Sequence, residues 1–297
     1  MIKKHLDLKK KDDVESHNNE NINNKDKPAE NKEKKEIQHV HSEESVLKDR
    51  KIDEQTAIRN FRYLDELIHS GVKEIVLDSD IVLDPDEKSQ YLNGIKLDAD
   101  DLAIDGNGHA IDAQGLTRIF FCTGKNIIIK NIILKNGFTI ENGGAINNEG
   151  ELTITESTLT ENTTKNGDGG AINNEGELTI TESTLTENTA KYGGAIHNNG
   201  ELTITKSTLN NNIVEVSGGA IHNNKGGELT ITESTLNNNT AHWKGGAIYN
   251  NEGELTITES TLNNNTAQRD GGAIHNLDEK SFKIKDCKLD NNIPNNY

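Results

Sequence analysis

The phrase Gly-Gly-Ala-Ile is written six times in the second half of this chain, starting at Gly143, Gly169, Gly193, Gly218, Gly245 and Gly271. Each copy opens a longer sentence of the form GAINNEGELTITESTLTEN, and the starts give a period of 24 to 27 residues. A period of this length marks a stacked architecture, in which each unit buries its apolar face only against its neighbours.

Inside one unit, Leu152, Ile154 and Leu159 are separated by Thr153, Thr155 and Thr158. Alternation of period two specifies strand, and Thr and Ile are β-branched residues that suit a pleated surface. No repeat holds a stretch with helical spacing. Each unit therefore reads as two or three short strands joined by Gly, Asn and Ser turns. The expected fold is all-β: a right-handed, single-stranded parallel β-helix, one repeat per rung. Ile146, Leu152, Ile154 and Leu159 point inward, as do Ile172, Leu178, Ile180 and Leu185 one rung on. Gly143 and Gly144 mark a sharp corner, where a side chain would clash or where positive φ is needed.

Two asparagine positions recur in every unit. One is Asn148, Asn174, Asn198, Asn223, Asn250 and Asn276; the other is Asn162, Asn188, Asn212, Asn239, Asn265 and Asn292. Stacked amides hydrogen-bond to one another and to turn backbone, so both rows are read as structural ladders.

The Gly-Gly-Ala-Ile phrase, with Leu159-x-x-Asn162 following it, resembles the paired Gly-Gly-Ala-(Ile/Leu/Val) and Phe-x-x-Asn repeats of polymorphic outer-membrane proteins and of adhesin-like proteins from methanogenic archaea. Leu stands here where that pattern has Phe. The resemblance covers residues 97–292 and implies a pectate-lyase-like solenoid, a cell-surface or extracellular location and an adhesin-like role.

The rest of the chain divides as follows. Residues 1–50 carry 12 basic and 12 acidic side chains with no apolar period, a composition that reads as a disordered tail. The net charge of −17 therefore resides on residues 51–297. Residues 51–96 read as a capping helix and first strands. Ala57, Phe61, Leu64 and Ile68 share one helical face, with Asp53 as N-cap and Gly71 as stop. Parallel β-helix proteins of the pectate-lyase-like group often begin with such a helix and irregular rungs, here Glu74–Leu77, Leu102–Gly108 and Asn126–Ile129. The β-helix spans 97–292, and 293–297 form a C-terminal tail. In the last rung, Lys283 and Lys285 replace the two Thr of the exposed strand, which discourages edge-to-edge pairing.

The start of the chain has charge but no apolar run, so no signal peptide is expected. No apolar stretch approaches the length of a membrane-spanning helix. An acidic, Arg-poor domain excludes nucleic acid as a partner. Cys122 and Cys287 lie more than six rungs apart and are not expected to pair; Cys287 takes the inward place held by Ser260 one rung earlier and reads as a buried thiol.

Candidate sites follow from what repeats and what does not. Asp98, Asp100, Asp101, Asp105 and Asp112 form the one irregular acidic concentration, and read as turn residues. The Thr pairs from Thr153/Thr155 to Thr256/Thr258 form two rows, an arrangement that resembles the surface of ice-binding proteins. No cofactor is expected; the one cation position on offer is the row Glu151, Glu177, Glu201, Glu228 and Glu254, where Ca²⁺ would relieve like-charge pairing. The position after the repeated Ile varies, giving His197, His222, Tyr249 and His275. With Tyr192 and Trp243 nearby, it forms an outward stripe suited to sugar rings or a protein partner.

The function expected is that of a non-enzymatic, monomeric, adhesin-like β-helix that binds glycans or cell-surface proteins. The alternatives are a carbohydrate-active enzyme of lyase or hydrolase type with its site on the early rungs, an ice-binding protein, and a structural spacer.

Overall fold

Two adjacent glycines set the corner of each of the six repeats. In the computed structural model, which describes residues 59–297, Gly143 has φ +71, and a Cβ there would lie 2.2 Å from the Ile146 carbonyl oxygen. Gly144 is excluded from any other identity by the rung above: its Cβ would lie 2.2 Å from the Gly170 carbonyl oxygen. One glycine supplies the left-handed turn and the other the close approach of successive corners.

Between corners the chain makes four strands per rung, not two or three. The first rung of the regular series runs Ile146–Asn148, Glu151–Thr155, Thr158–Thr160 and Thr163–Thr164. The fourth strand escaped the sequence reading because it is two residues long and polar on its outer side. Equivalent strands pair in parallel with equivalent residues in register, Leu152 on Leu178 on Leu202, for example. Four parallel sheets result. Sheet I has nine strands, from Glu74–Val76 to Phe282–Lys285. Sheet II has seven, from Ile81–Val82 to Thr235–Asn237; sheet III has eight, from Ile95–Leu97 to Ile274–Asn276; sheet IV has six, from Phe138–Thr139 to Thr266–Ala267. The fold is an all-β parallel solenoid.

The core is one column. Ala145, Ile146, Leu152, Ile154 and Leu159 and their equivalents are buried at 2 % exposure or less. Full burial of an aliphatic side chain stabilises by about 1.5–3 kcal/mol, so each rung adds a similar increment to its neighbours. The early irregular rungs fall where expected, with strands at Glu74–Val76, Ala103–Asp105 and Ile127–Lys130. A short helix, α1 (Phe61–Ile68), buries Phe61, Leu64 and Ile68 against the same column. Its N-cap is Asn60, whose side chain accepts from the Tyr63 amide, and its C-cap is His69; the expected cap Asp53 and residues 1–58 lie outside the described residues. Among the described residues no helix is long and apolar enough to cross a membrane.

Two expectations about the last rung change. Cys287 is half-buried, not buried, because only the preceding rung covers it; its Sγ sits 3.6 Å from the Ile257 carbonyl. Residues 293–297, read as a tail, lie along the solenoid. The Ile274 amide donates to the Asn296 carbonyl (2.8 Å), and the Tyr297 ring meets Phe282 edge-on.

The corner between sheets I and II holds Asn131, Glu156, Glu182, Lys206, Glu233, Glu259 and Asp286, all near φ +50. This left-handed region costs most side chains roughly 1–2 kcal/mol, and Asn tolerates it best after Gly. Glu156→Asn copies the residue one rung earlier. It should stabilise the chain by about 0.5–1 kcal/mol, measured by urea unfolding.

Candidate functional site

Sheet III is where the rungs stop being copies. The segment from the repeated Glu to the repeated Asn keeps one length in all five complete repeats, Glu151 to Asn162 through Glu254 to Asn265. Length changes are confined to two loops, one before each Gly-Gly corner and one after the Ile-x-Asn strand. Compare Asn162–Gly169 with Asn188–Gly193, and Asn148–Glu151 with Asn223–Glu228. Both loops flank sheet III. The outward residue of that sheet also changes rung by rung. In register it reads Lys96, Phe121, Asn147, Asn173, His197, His222, Tyr249 and His275.

The middle of this column is covered. His197 and His222 are each 6 % exposed, so the solvent-facing stripe expected from alternation is a stack instead. Rungs about 4.8 Å apart bring successive rings into contact. His197 and His222 centroids lie 5.2 Å apart, His222 and Tyr249 4.9 Å, Tyr249 and His275 5.3 Å. Tyr192, the last residue of the sheet IV strand Thr189–Tyr192, reaches over and meets His222 edge-on at 5.0 Å. Trp243 stands apart. It is 43 % exposed, with the Arg269 guanidinium 5.4 Å and the Lys244 ammonium 5.7 Å from its ring. Five of the six sequence candidates therefore form one assembly, and Trp243 forms its own cationic cluster.

Burial displaces the titration of these rings. His197 is pushed down to about 4 and His222 to about 3 by desolvation, the second helped by its neighbour His197. Desolvation also lowers His275, with Lys244 adding to it, and raises the Tyr249 phenol. The His222 Nδ1 is buried with no hydrogen-bond partner among the described residues.

Lower on the same column lies a concave opening of about 710 Å³. Phe121, Asn147 and Asn173 form its floor, Lys96 and Ile140 its rim, and Glu141, Glu149 and Glu175 bring carboxylates to it. The carboxylates of Glu149 and Glu175 are steered by amides two residues earlier: Asn147 Nδ2 donates to Glu149 Oε1 (3.2 Å) and Asn173 Nδ2 to Glu175 Oε1 (3.1 Å). Arg118 fixes one wall from below. Its buried guanidinium donates to the carbonyls of Gly143 (2.9 Å), Asn93 (3.2 Å) and Asn142 (2.6 Å). Sequence reasoning did not pick out this opening; the usable signal was register, since Phe121 and Asn147 occupy one outward position on consecutive rungs.

The two asparagine rows lie inside the walls, fully or nearly fully buried save Asn276. Asn148 Nδ2 donates to Asn174 Oδ1 (2.7 Å), and the series continues through Asn198, Asn223 and Asn250 to Asn276. In the other row Asn162 Nδ2 donates to Asn188 Oδ1 (3.0 Å), and so on through Asn212, Asn239 and Asn265 to Asn292. Here each Oδ1 also accepts the backbone amide of the rung before.

The other candidates are spread along the wall. Glu151, Glu177, Glu201, Glu228 and Glu254 stand directly paired on the outside of sheet I, bordering the two Thr rows. Among the described residues no group of three His, Cys, Asp or Glu is placed to hold a metal ion. Of the early aspartates, Asp105 and Asp112 serve their own turns, accepting from the Asn107 and Gln114 amides, whereas Asp100 accepts from the Lys125 amide one rung on. Cys122 and Cys287 are both free thiols, and burial raises Cys122 to about 12.

Two measurements probe this wall. Asn188→Ala strips acceptors from the Asn162 amide and side chain and a donor from the Leu159 carbonyl. The loss expected in urea unfolding is about 3 kcal/mol. The histidines set an acid limit. Unfolded, each would titrate near 6.5; folded, they stay neutral down to about 4 and about 3. Their contribution is complete above pH 6.5 and drains as pH falls below it, by roughly 3–5 kcal/mol per ring at most. Asp168, whose carboxyl burial raises, acts in the opposite sense at the acid end. His222→Tyr extends the stack from Tyr249, and should flatten the decline in stability between pH 6.5 and 4.

Comparison with known proteins agrees with this architecture. The family model described as the Chlamydia polymorphic membrane protein (Chlamydia_PMP) repeat matches residues 233–251 and 259–277. Each match runs from the Leu-x-x-Asn phrase into the next Gly-Gly-Ala-Ile corner, across sheet IV and the loop that bears Trp243 or Arg269. No curated protein and no solved structure matches the chain. Residues 59–297 thus form a parallel β-solenoid whose repeats resemble those of polymorphic outer-membrane proteins.

Proposed function

We propose that this chain is a non-enzymatic, adhesin-like scaffold that presents one edge of a rigid solenoid to glycans or proteins on another surface. The observation that carries this reading is the confinement of variation. Across the five complete repeats sheet I presents the same Glu and Thr side chains and sheet II changes only from Thr160 and Thr186 to Asn210 and Asn237, whereas sequence and loop length vary together around sheet III. A wall held constant beside an edge allowed to vary is the division of labour expected of a binding scaffold. The named family of the matched repeats is a membrane-protein family, which supports a surface role.

The exposed contacts on that edge are Trp243, flanked by Lys244 and Arg269, and the partly exposed rings of Tyr192, Tyr249 and His275. The protein works as a monomer and without a resident cofactor. The Glu row on sheet I is a solvated stripe, and the Thr rows are its neighbouring strand positions.

Protease shaving of intact native cells, followed by mass spectrometry, tests the role. Peptides from the repeats should be released while cytosolic markers stay protected. Recovery of all repeat peptides in the soluble lysate alone would sink the adhesin reading.

A further inference from the structure

We propose that the opening over Phe121, Asn147 and Asn173 is a binding site for a neutral oligosaccharide lying along the solenoid axis. This deepens the adhesin reading, on which its biological sense rests, by naming a ligand class and placing it at the low-numbered end of the variable edge.

Charge narrows the ligand first. Lys96 stands on the rim and the Arg118 guanidinium lies in the wall, 3.9 Å from Glu141 Oε2, while Glu149 and Glu175 face them. An anion meets the carboxylates, and a cation meets Lys96 and Arg118. A ligand rich in hydroxyls satisfies both sets, donating to carboxylates and accepting from the ammonium.

The floor narrows it further. Phe121 is half-exposed and offers an apolar ring face, the platform on which the C–H face of a sugar ring packs. The opening, about 710 Å³, falls in the range of small-molecule sites.

Geometry then gives the direction. Asn147 with Glu149 and Asn173 with Glu175 are the same amide–carboxylate pair on consecutive rungs, about 4.8 Å apart. Each amide holds one carboxylate oxygen, Oε1, and Oε2 has no donor among the described residues. Asn173 spends both Nδ2 hydrogens, on Asn147 Oδ1 (2.7 Å) and on Glu175, so it is a positioning residue. The pair ends at the next rung, where His197 and Asn199 replace it. Two equivalent pairs in tandem, one rung from Phe121, fit successive units of one sugar chain.

Isothermal titration of the full chain with maltotetraose, cellotetraose and chitotetraose tests this. At least one should bind with Kd of about 1 mM or tighter. Glu175→Gln keeps the side-chain shape at an exposed position and should weaken binding about tenfold. Phe121→Ala should do the same, with Phe121→Leu as substitute if the alanine variant loses melting temperature. Thr230→Ala, on the outside of sheet I, should leave affinity unchanged. Flat titrations with all three sugars, or affinity indifferent to both Glu175→Gln and the Phe121 variant, would overturn the site. Salt-sensitive binding of hexalysine that excludes the sugars would reassign it to a cationic peptide. Because cell shaving reports location and titration reports the opening, the two readings fail separately: surface peptides with flat titrations leave the adhesin standing alone, and sugar binding by a protein confined to the lysate leaves the site standing alone.

Discussion

Everything in this solenoid depends on buried amides finding each other. A turn placed inside a wall carries backbone groups that water cannot reach, and an unpaired polar group there costs about 1–3 kcal/mol. The asparagine rows remove that cost at two corners of each rung. One Nδ2 hydrogen goes to the next Asn, the other to a carbonyl such as that of Leu134 or Leu159. Each Oδ1 in the Asn162 row takes a backbone amide as well, beginning with that of Gly137. The asparagine side chain is short enough to stay in the wall and carries both a donor and an acceptor, so it serves the rungs on either side. The leucines and isoleucines supply more free energy, but they would tolerate a shifted register; a chain of amides that must meet rung on rung would not.

Much of this was legible because repetition turns a long-range contact into a local pattern. Once the strands are known to stack, Leu152, Leu178 and Leu202 must touch, and the core follows from the alternation of one repeat. The corner glycines and the asparagine rows were legible on the same ground. What stayed hidden depends on contact between unlike residues. Alternation placed His197 and His222 outside the barrel, correctly, but outside is not the same as exposed when Tyr192 and the rings above and below close over them. The opening at Phe121 was hidden because its parts come from four irregular or early rungs, and Arg118, which shapes it, acts only through carbonyls that no side-chain pattern records. Among the described residues α1 begins after Asn60, whose side-chain oxygen accepts the Tyr63 N–H and sets that boundary.

The histidines make the edge a compromise. Stacked rings fill the space between rungs and exclude water, which stiffens the column. Yet each imidazole keeps nitrogens that need partners, and the His222 Nδ1 finds none among the described residues. Asn147 and Asn173 in the same register manage this better, each amide meeting the next. The column thus changes from a hydrogen-bonded ladder to an aromatic stack partway along, and its surface changes from acceptor-rich to apolar over the same distance.

The buried ladders also have a direction. In both rows every amide-to-amide bond runs toward the higher-numbered rung, from Asn148 to Asn174 and from Asn162 to Asn188 onward. The solenoid is therefore polar in the sense that a filament is polar, with a donor-facing and an acceptor-facing end. A rung duplicated within the series inherits the arrow and fits without adjustment, whereas a rung inserted in reverse would set donor against donor. Growth of such a chain by copying is thus permitted by its hydrogen bonds in one orientation only.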